Sequence, residues 1–342
     1  MTFAARFAPL FVLPLIVVNV IPAQAQYKII KTQNVGGDGG YDYLTAVSES
    51  RQIYIALSGP TGTLHVYNMD TLAPIGEVPT GSAHGAAIDP TVHHGFATSK
   101  PVTMFDTETF KVIKTIDTGG SPDGFVTDIA AHRVYILSHS SPNVTVLDTR
   151  DGSFLGNIDL GGEPEQSVLD GKGHLFIDLE DKDAIAVVDI QTLKVTKKYD
   201  ISRQGGECAG LAMDTDHGVL FAACRDKNNM IILSSADGHV LTTLPIGVGC
   251  DGAVFNSATQ EVFSTQGDGT LTVIKESSPT SFAVEQTVAT PRRARTITLD
   301  KKTGHIFTIT ADFGPAAPLA PGQKYARPPM LPGTFRIVVV GE

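Results

Sequence analysis

"YKIIKTQNVGG", residues 27–37, and "FKVIKTIDTGG", residues 110–120, share one pattern: an aromatic residue, Lys-x-Ile-Lys-Thr, then Gly-Gly. The second copy closes a unit in the interior of the chain, whereas the first has no unit before it. Self-similarity at a fixed period decides a fold before local propensity does. Working outward, the units open on "GGYDYLTAV", "GSAHGAAID", "GSPDGFVTD", "GEPEQSVLD", "GECAGLAMD", "VGCDGAVFN" and "RARTITLDK". An apolar second strand follows each opening, among them "RQIYIALS", "HRVYILS", "GVLFAAC" and "GHIFTIT". Third strands such as "NVTVLDTRDG" and fourth strands such as "KVIKTIDTG" complete each unit.

The units recur roughly every 39 to 44 residues with four short strands each, the period of propeller blades. Asp, Gly and Asn bound the strands, as turns require. No stretch longer than about ten residues carries a 3.6-residue apolar period. The sequence therefore predicts an all-β, seven-bladed β-propeller of four-stranded antiparallel blades. Its seventh unit stops after a third strand, "TFRIVVVG" (334–341). "YKIIKTQNVGG" has the chemistry of the missing fourth strand, so pairing of the N-terminal strand with the C-terminal blade is expected to close the ring and cover its last edge.

The second-strand cores "VYILS", "LFAAC" and "GFATS", the third-strand "VTVLDTRDG" and the "GSPDG" opening resemble the YVTN-type β-propeller repeats of YncE-like exported proteins. The resemblance spans essentially all of the chain after residue 25. It implies a seven-bladed ring with a binding or scaffold role. Some members of that family are thought to bind nucleic acid, and similar propellers form lactonases and lyases.

Residues 1–25, "MTFAARFAPLFVLPLIVVNVIPAQA", read as a signal peptide: one positive charge, Arg6, then an apolar run, then Ala-Gln-Ala at the cleavage site. The run is shorter than the roughly 20 residues of a membrane anchor and is broken by Pro9, Pro14 and Asn19. Residues 26–342 are expected to form one propeller domain, periplasmic or secreted, monomeric and without a membrane span. Losing Arg6 takes the net charge from −10 to about −11. That acidity, with Lys and Arg scattered, disfavours nucleic acid as a partner. GxSxG, HExxH, GxxxxGK[ST] and CxxCH are all absent, which weakens hydrolase, metalloprotease, nucleotide and haem readings.

Aligned repeats place equivalent residues at equivalent points of a ring. The loop leading into each first, innermost strand offers Asp42, His84, Asp123, Glu165, Ala209, Asp251 and Arg295 in order. Four carboxylates, a histidine and an arginine at one channel mouth suit a cationic ligand or a divalent cation such as calcium or magnesium. Arg295 would either balance a neighbouring acid or hold a ligand carboxylate. For any single acid, ordinary turn chemistry is a sufficient account.

Cys208 enters the innermost strand of the fifth unit and Cys224 ends the strand beside it, on the same face, so a disulfide between them is sterically allowed, and export favours its oxidation. Cys250 is left as the unpaired thiol. Alternatives are inert buried cysteines, or a copper or zinc site with Met213 or His217. Residues 311–335 form a Pro/Gly-rich loop in the last unit, with Tyr325, Arg327 and Met330 as contact residues. It either covers a mouth or packs passively along the blade edge.

Three functions are carried forward. The first is a binding or scaffold protein engaging a small molecule or protein partner at the mouth. The second is a metal-assisted propeller enzyme of lactonase or lyase type, using the acidic ring with His84 as acid or base. A redox or copper role through the cysteines is the third.

Overall fold

A computed structural model describes residues 1–2, 26–58, 62–316, 318 and 328–342. The signal-peptide reading falls almost wholly outside them, as do Tyr325 and Arg327 of the long loop.

The described chain forms seven four-stranded antiparallel sheets and one short 3-10 turn, Glu180–Lys182. In six blades the strands follow chain order from the channel outward; blade one runs through Gly40–Val47, Gln52–Ser58, Thr63–Asn68 and Pro74–Val78. The seventh combines Ile297–Leu299, Ile306–Thr310 and Arg336–Gly341 with Lys28–Asn34, which supplies its outer strand from the other end of the sequence. Lys28 pairs with Gly341 and Asn34 with Arg336. The closing segment is held at both ends. Val35 N–H donates to the Phe335 carbonyl at 2.9 Å, and the Tyr27 hydroxyl donates to Glu261 Oε2 of blade six at 2.6 Å.

Burial explains why the strands read as they do. Middle strands such as Val144–Asp148 and Val219–Cys224 are buried along their whole length, because neighbouring blades cover both faces. They are therefore continuous apolar runs rather than alternating ones. Outer strands such as Val112–Ile116 are largely exposed. Apolar clusters fill the seams between blades; one joins Ile53, Ile55 and Leu57 of blade one to Phe307, Ile309 and Ile337 of blade seven.

Each inner strand packs against its two neighbours, blade one against blade seven included, and this ring of inner strands surrounds the channel. In blades one to six the inner strand carries a bulge near its start, between Tyr41 and Leu44, Ala83 and Ala86, Pro122 and Phe125, Pro164 and Ser167, Cys208 and Gly210, and Cys250 and Ala253.

Candidate functional site

Those bulges place the site residues. Asp42, His84, Asp123, Glu165, Ala209 and Asp251 all lie within the inner strands, inside or beside the irregular step, and not in the preceding loops as the sequence suggested. Only Arg295 stands before its strand, Ile297–Leu299. An extra residue frees the strand from its ladder and re-aims a side chain, which is how bulges serve binding sites. The turn account of "PDG" and "CDG" is corrected with it. A Cβ on Gly124 would come 2.4 Å from the Glu165 carbonyl oxygen, and one on Gly252 would come 2.8 Å from Ile297 Cγ2. Glycine follows the acid because the next inner strand passes there.

The sequence-identified residues come together at one mouth. His84 Nδ1 lies 2.8 Å from Asp42 Oδ2 and 3.1 Å from Asp123 Oδ1. His139 continues the arc, with Nε2 3.1 Å from Asp123 Oδ2 and 3.9 Å from Glu165 Oε1. The Tyr43 hydroxyl donates to Glu165 Oε2 at 3.1 Å. The opposite arc is basic. Arg225 occupies the place that Ala209 leaves open, bridging Glu180 Oε1 at 3.1 Å and Asp251, and Arg295 pairs with the other oxygen of Asp251. Arg295 thus balances an acid, the first of its two expected roles.

Electrostatics divide the mouth further. Asp123 is pushed up to about 6, by burial first and then by the charge of Asp42, with His84 and His139 opposing. Glu165 is raised well above its usual range by burial, then by its hydrogen bond with Glu180 and by the charge of Asp251; Glu180 is lowered, because that hydrogen bond and Arg225 outweigh its burial. Asp251 is raised by burial despite its two arginines. The Asp42 hydrogen bond raises His84 and outweighs its desolvation. Five carboxylates, Asp42, Asp123, Glu165, Glu180 and Asp251, face two arginines and two histidines. The carboxylates outnumber these four cationic groups only while all five are ionised, and the raised Asp123, Glu165 and Asp251 resist carrying that charge together.

Two groups of donor atoms here lie within 4.8 Å of one another: Asp42, His84 and Asp123, and Asp123, His139 and Glu165. Both mix imidazole nitrogen with carboxylate oxygen. Such a set suits zinc or manganese better than the calcium or magnesium expected from the acids alone.

His139, Glu180, Arg225 and Tyr43 were not singled out in the sequence. A signal existed for three of them. The residue directly after each second strand is Lys100, His139, Glu180 or Arg225 in blades two to five, a second polar ring beside the first.

Cys208 and Cys224 face each other across paired strands and are joined as a disulfide, while Cys250 is a buried free thiol pushed up to about 12, chiefly by burial. The copper or zinc reading of the cysteines loses its ligands: two sulfurs are spent on each other, and His217 lies beyond Asp214, past the far end of the Cys208–Asp214 strand. The base of the long loop stands beside the mouth. Phe313 bridges to Met330, takes the Arg293 guanidinium over its ring at 4.6 Å and meets the Tyr41 ring at 6.4 Å.

No helix among the described residues is long and apolar enough to cross a membrane. No protein-family model and no curated protein sequence matches the chain. Among solved structures it is similar to the crystal structure of RRP9 WD40 repeats, with a TM-score of 0.74 and 9% identity over 93% of this chain and 100% of that one. A chain of the mitotic checkpoint complex gives a TM-score of 0.69 at 13% identity, over 89% of this chain and 95% of that chain. A chain of Kuenenia stuttgartiensis hydrazine synthase gives 0.68 at 14% identity, over 81% and 94%. Likeness at such identities is likeness of fold, and the fold it supports is the β-propeller.

Proposed function

We propose that this chain is an exported binding propeller of the YVTN-type, YncE-like kind, and that its mouth takes a cation. The repeat motifs and the leader-like first 25 residues support the family and the periplasmic or secreted setting. One observation carries the binding site. In the arc from Asp42 to Glu165, Asp123 Oδ1 and His139 Nε2 are buried without a hydrogen-bond partner among the described residues, in a cluster whose acids outnumber its cations. Each has an ion-pair neighbour at 3.1 Å, His84 Nδ1 for Asp123 Oδ1 and Asp123 Oδ2 for His139 Nε2, but no hydrogen bond, so with the rings deprotonated both offer a lone pair to a cation. A divalent transition ion fits the mixed donors best. The lysine or arginine of a protein partner answers the same charge deficit.

The test is metal analysis of purified, leader-free protein, followed by calorimetric titration of stripped protein with zinc and manganese. An ion at the mouth is expected, with affinity reduced at least ten-fold (about 1.4 kcal/mol) in a His84→Ala, His139→Ala double variant. Unchanged affinity in the double variant overturns the assignment. A second reading, metal-assisted hydrolysis, draws on the open positions that three protein ligands leave around an ion. It requires turnover of a lactone by metal-loaded protein and none by the double variant.

A further inference from the structure

At the opposite end of the inner strands, blades one to six each repeat one backbone contact within the blade. A residue just after the third strand, or near the end of the longer Thr270–Ser278 strand, donates its backbone N–H to the carbonyl of the residue in the turn between the first and second strands: Met69 to Arg51, Thr107 to His93, Thr149 to His132, Ile190 to Gly173, Ser235 to Gly218 and Glu276 to Gln260. The shared bond makes these six positions equivalent. Only Glu276 among them is charged.

The difference matters because of what this position faces. Where blade two meets blade three, the Thr149 hydroxyl donates to Asp89 Oδ2 at 2.5 Å and His132 adds its ring at 3.3 Å. Where blade seven meets blade one, Arg51 pairs with Asp300 at 2.7 Å. Where blade five meets blade six, the equivalent acid is Asp214, yet the next blade offers neutral Gln260 in place of the cation and a carboxylate in place of the hydroxyl. Two changes in one seam put two acids together.

Asp214 and Glu276 side chains are each 1% exposed, and His217 is the cation beside them. Its Nδ1 lies 2.6 Å from Asp214 Oδ2 and 3.1 Å from Glu276 Oε1. One ring N–H cannot satisfy both carboxylates fully. Glu276 Oε2 is buried and has no hydrogen-bond partner among the described residues. Asp214 Oδ1 is occupied with the turn, accepting from Asp216 N–H at 2.9 Å, which leaves Oδ2 for the seam. Burial first, then the Asp214 charge, raises Glu276 to about 7.

We infer that Asp214, His217 and Glu276 form a divalent transition-metal site that clamps blade five to blade six, separate from the mouth. Their donor atoms lie within 4.8 Å of one another. Donors around a tetrahedral zinc at about 2.0–2.2 Å sit roughly 3.3–3.6 Å apart, so the 2.6 and 3.1 Å contacts of His217 must open by small side-chain rotations to admit an ion. The half-exposed His217 ring gives an ion access from solvent, and its imidazole with two carboxylates selects zinc or manganese over calcium. Binding displaces the ring proton and any proton on Glu276, and the ion supplies the charge that Gln260 does not.

The test uses the full chain with the mouth disabled by His84→Ala and His139→Ala, stripped of metal and titrated with zinc by calorimetry and thermal melts. One equivalent is expected to remain and to raise the melting temperature. Adding Glu276→Thr, the residue that the seam between blades two and three already tolerates, is expected to weaken zinc at least ten-fold and abolish the thermal gain. His217→Ala, a change at a half-exposed ring, gives the same readout if the threonine variant folds poorly. No zinc bound by the mouth-disabled protein, or equal binding after Glu276→Thr and after His217→Ala, overturns the site and leaves a carboxyl pair sharing a proton. Loss of mouth binding alone leaves the seam site standing.

Discussion

The two ends of the inner strands treat the same residue type in opposite ways. At the end away from the mouth, Asp89, Asp170 and Asp300 are buried, which alone would raise them, yet hydrogen bonds hold each below the usual carboxylate range. Thr149, Thr91 and His132 serve Asp89; Ser48, Thr303, Arg51 and the Lys302 N–H serve Asp300. At the mouth, Asp123, Glu165 and Asp251 are buried and raised. Regular strand ends supply turn N–H groups, whereas bulges withdraw the residue from its ladder. Repetition of an acid therefore does not mark a function in this fold; an acid whose donors do not offset its burial does.

The largest effect should come from breaking the satisfied end. Asp300→Ala removes the acceptor of Arg51 Nη1, the Ser48 hydroxyl and the Thr303 hydroxyl at the seam where the ring closes. A loss of roughly 2–4 kcal/mol is expected from denaturant unfolding. Asp123→Asn at the mouth should leave stability nearly unchanged and lower cation affinity roughly 10- to 100-fold by titration. If both substitutions cost the same stability and neither touches binding, the contrast between the ends is wrong. A smaller change sharpens it: Tyr27→Phe leaves Glu261 Oε2 without its 2.6 Å donor and should cost about 1–2 kcal/mol.

The fold was legible because a propeller repeats. Each blade states its strands again, and "YKIIKTQNVGG" without a parent unit announced the closure seen between Lys28–Asn34 and Arg336–Gly341. The ring of Asp42, His84, Asp123, Glu165, Asp251 and Arg295 was legible for the same reason. What escaped was everything set by contact between blades. That Arg225 reaches across from blade five to Asp251 and Glu180, or that His139 joins Asp123 to Glu165, depends on side-chain reach over a seam. The aspartate-glycine pairs looked like turns because close approach of a neighbouring backbone selects glycine as surely as a turn does. Glu276 was invisible until its backbone bond to Gln260, equivalent to that of Thr149 to His132, showed which position it holds.

The smallest effect concerns how far the mouth's unmet charge extends into the sheet. Asp178, fully buried on the His174–Leu179 strand two residues before Glu180, accepts the Gln166 N–H at 2.6 Å through Oδ1. Its other oxygen has no hydrogen-bond partner among the described residues. Burial raises its carboxyl well above the usual 3.8, the Gln166 N–H opposes this, and Glu180 adds to it. Because the folded value exceeds the unfolded one, the fold favours the protonated acid. That preference stabilises fully at low pH and is lost progressively as pH rises above about 4, where the unfolded carboxylate ionises. Asp178→Asn keeps the Oδ1 acceptor and carries no charge at any pH. Its stability relative to the parent should therefore climb between pH 4 and pH 8 in parallel denaturant melts. A difference that stays flat across that range would mean that Asp178 ionises without penalty, and that the strain on the mouth's acids stops at the bulges.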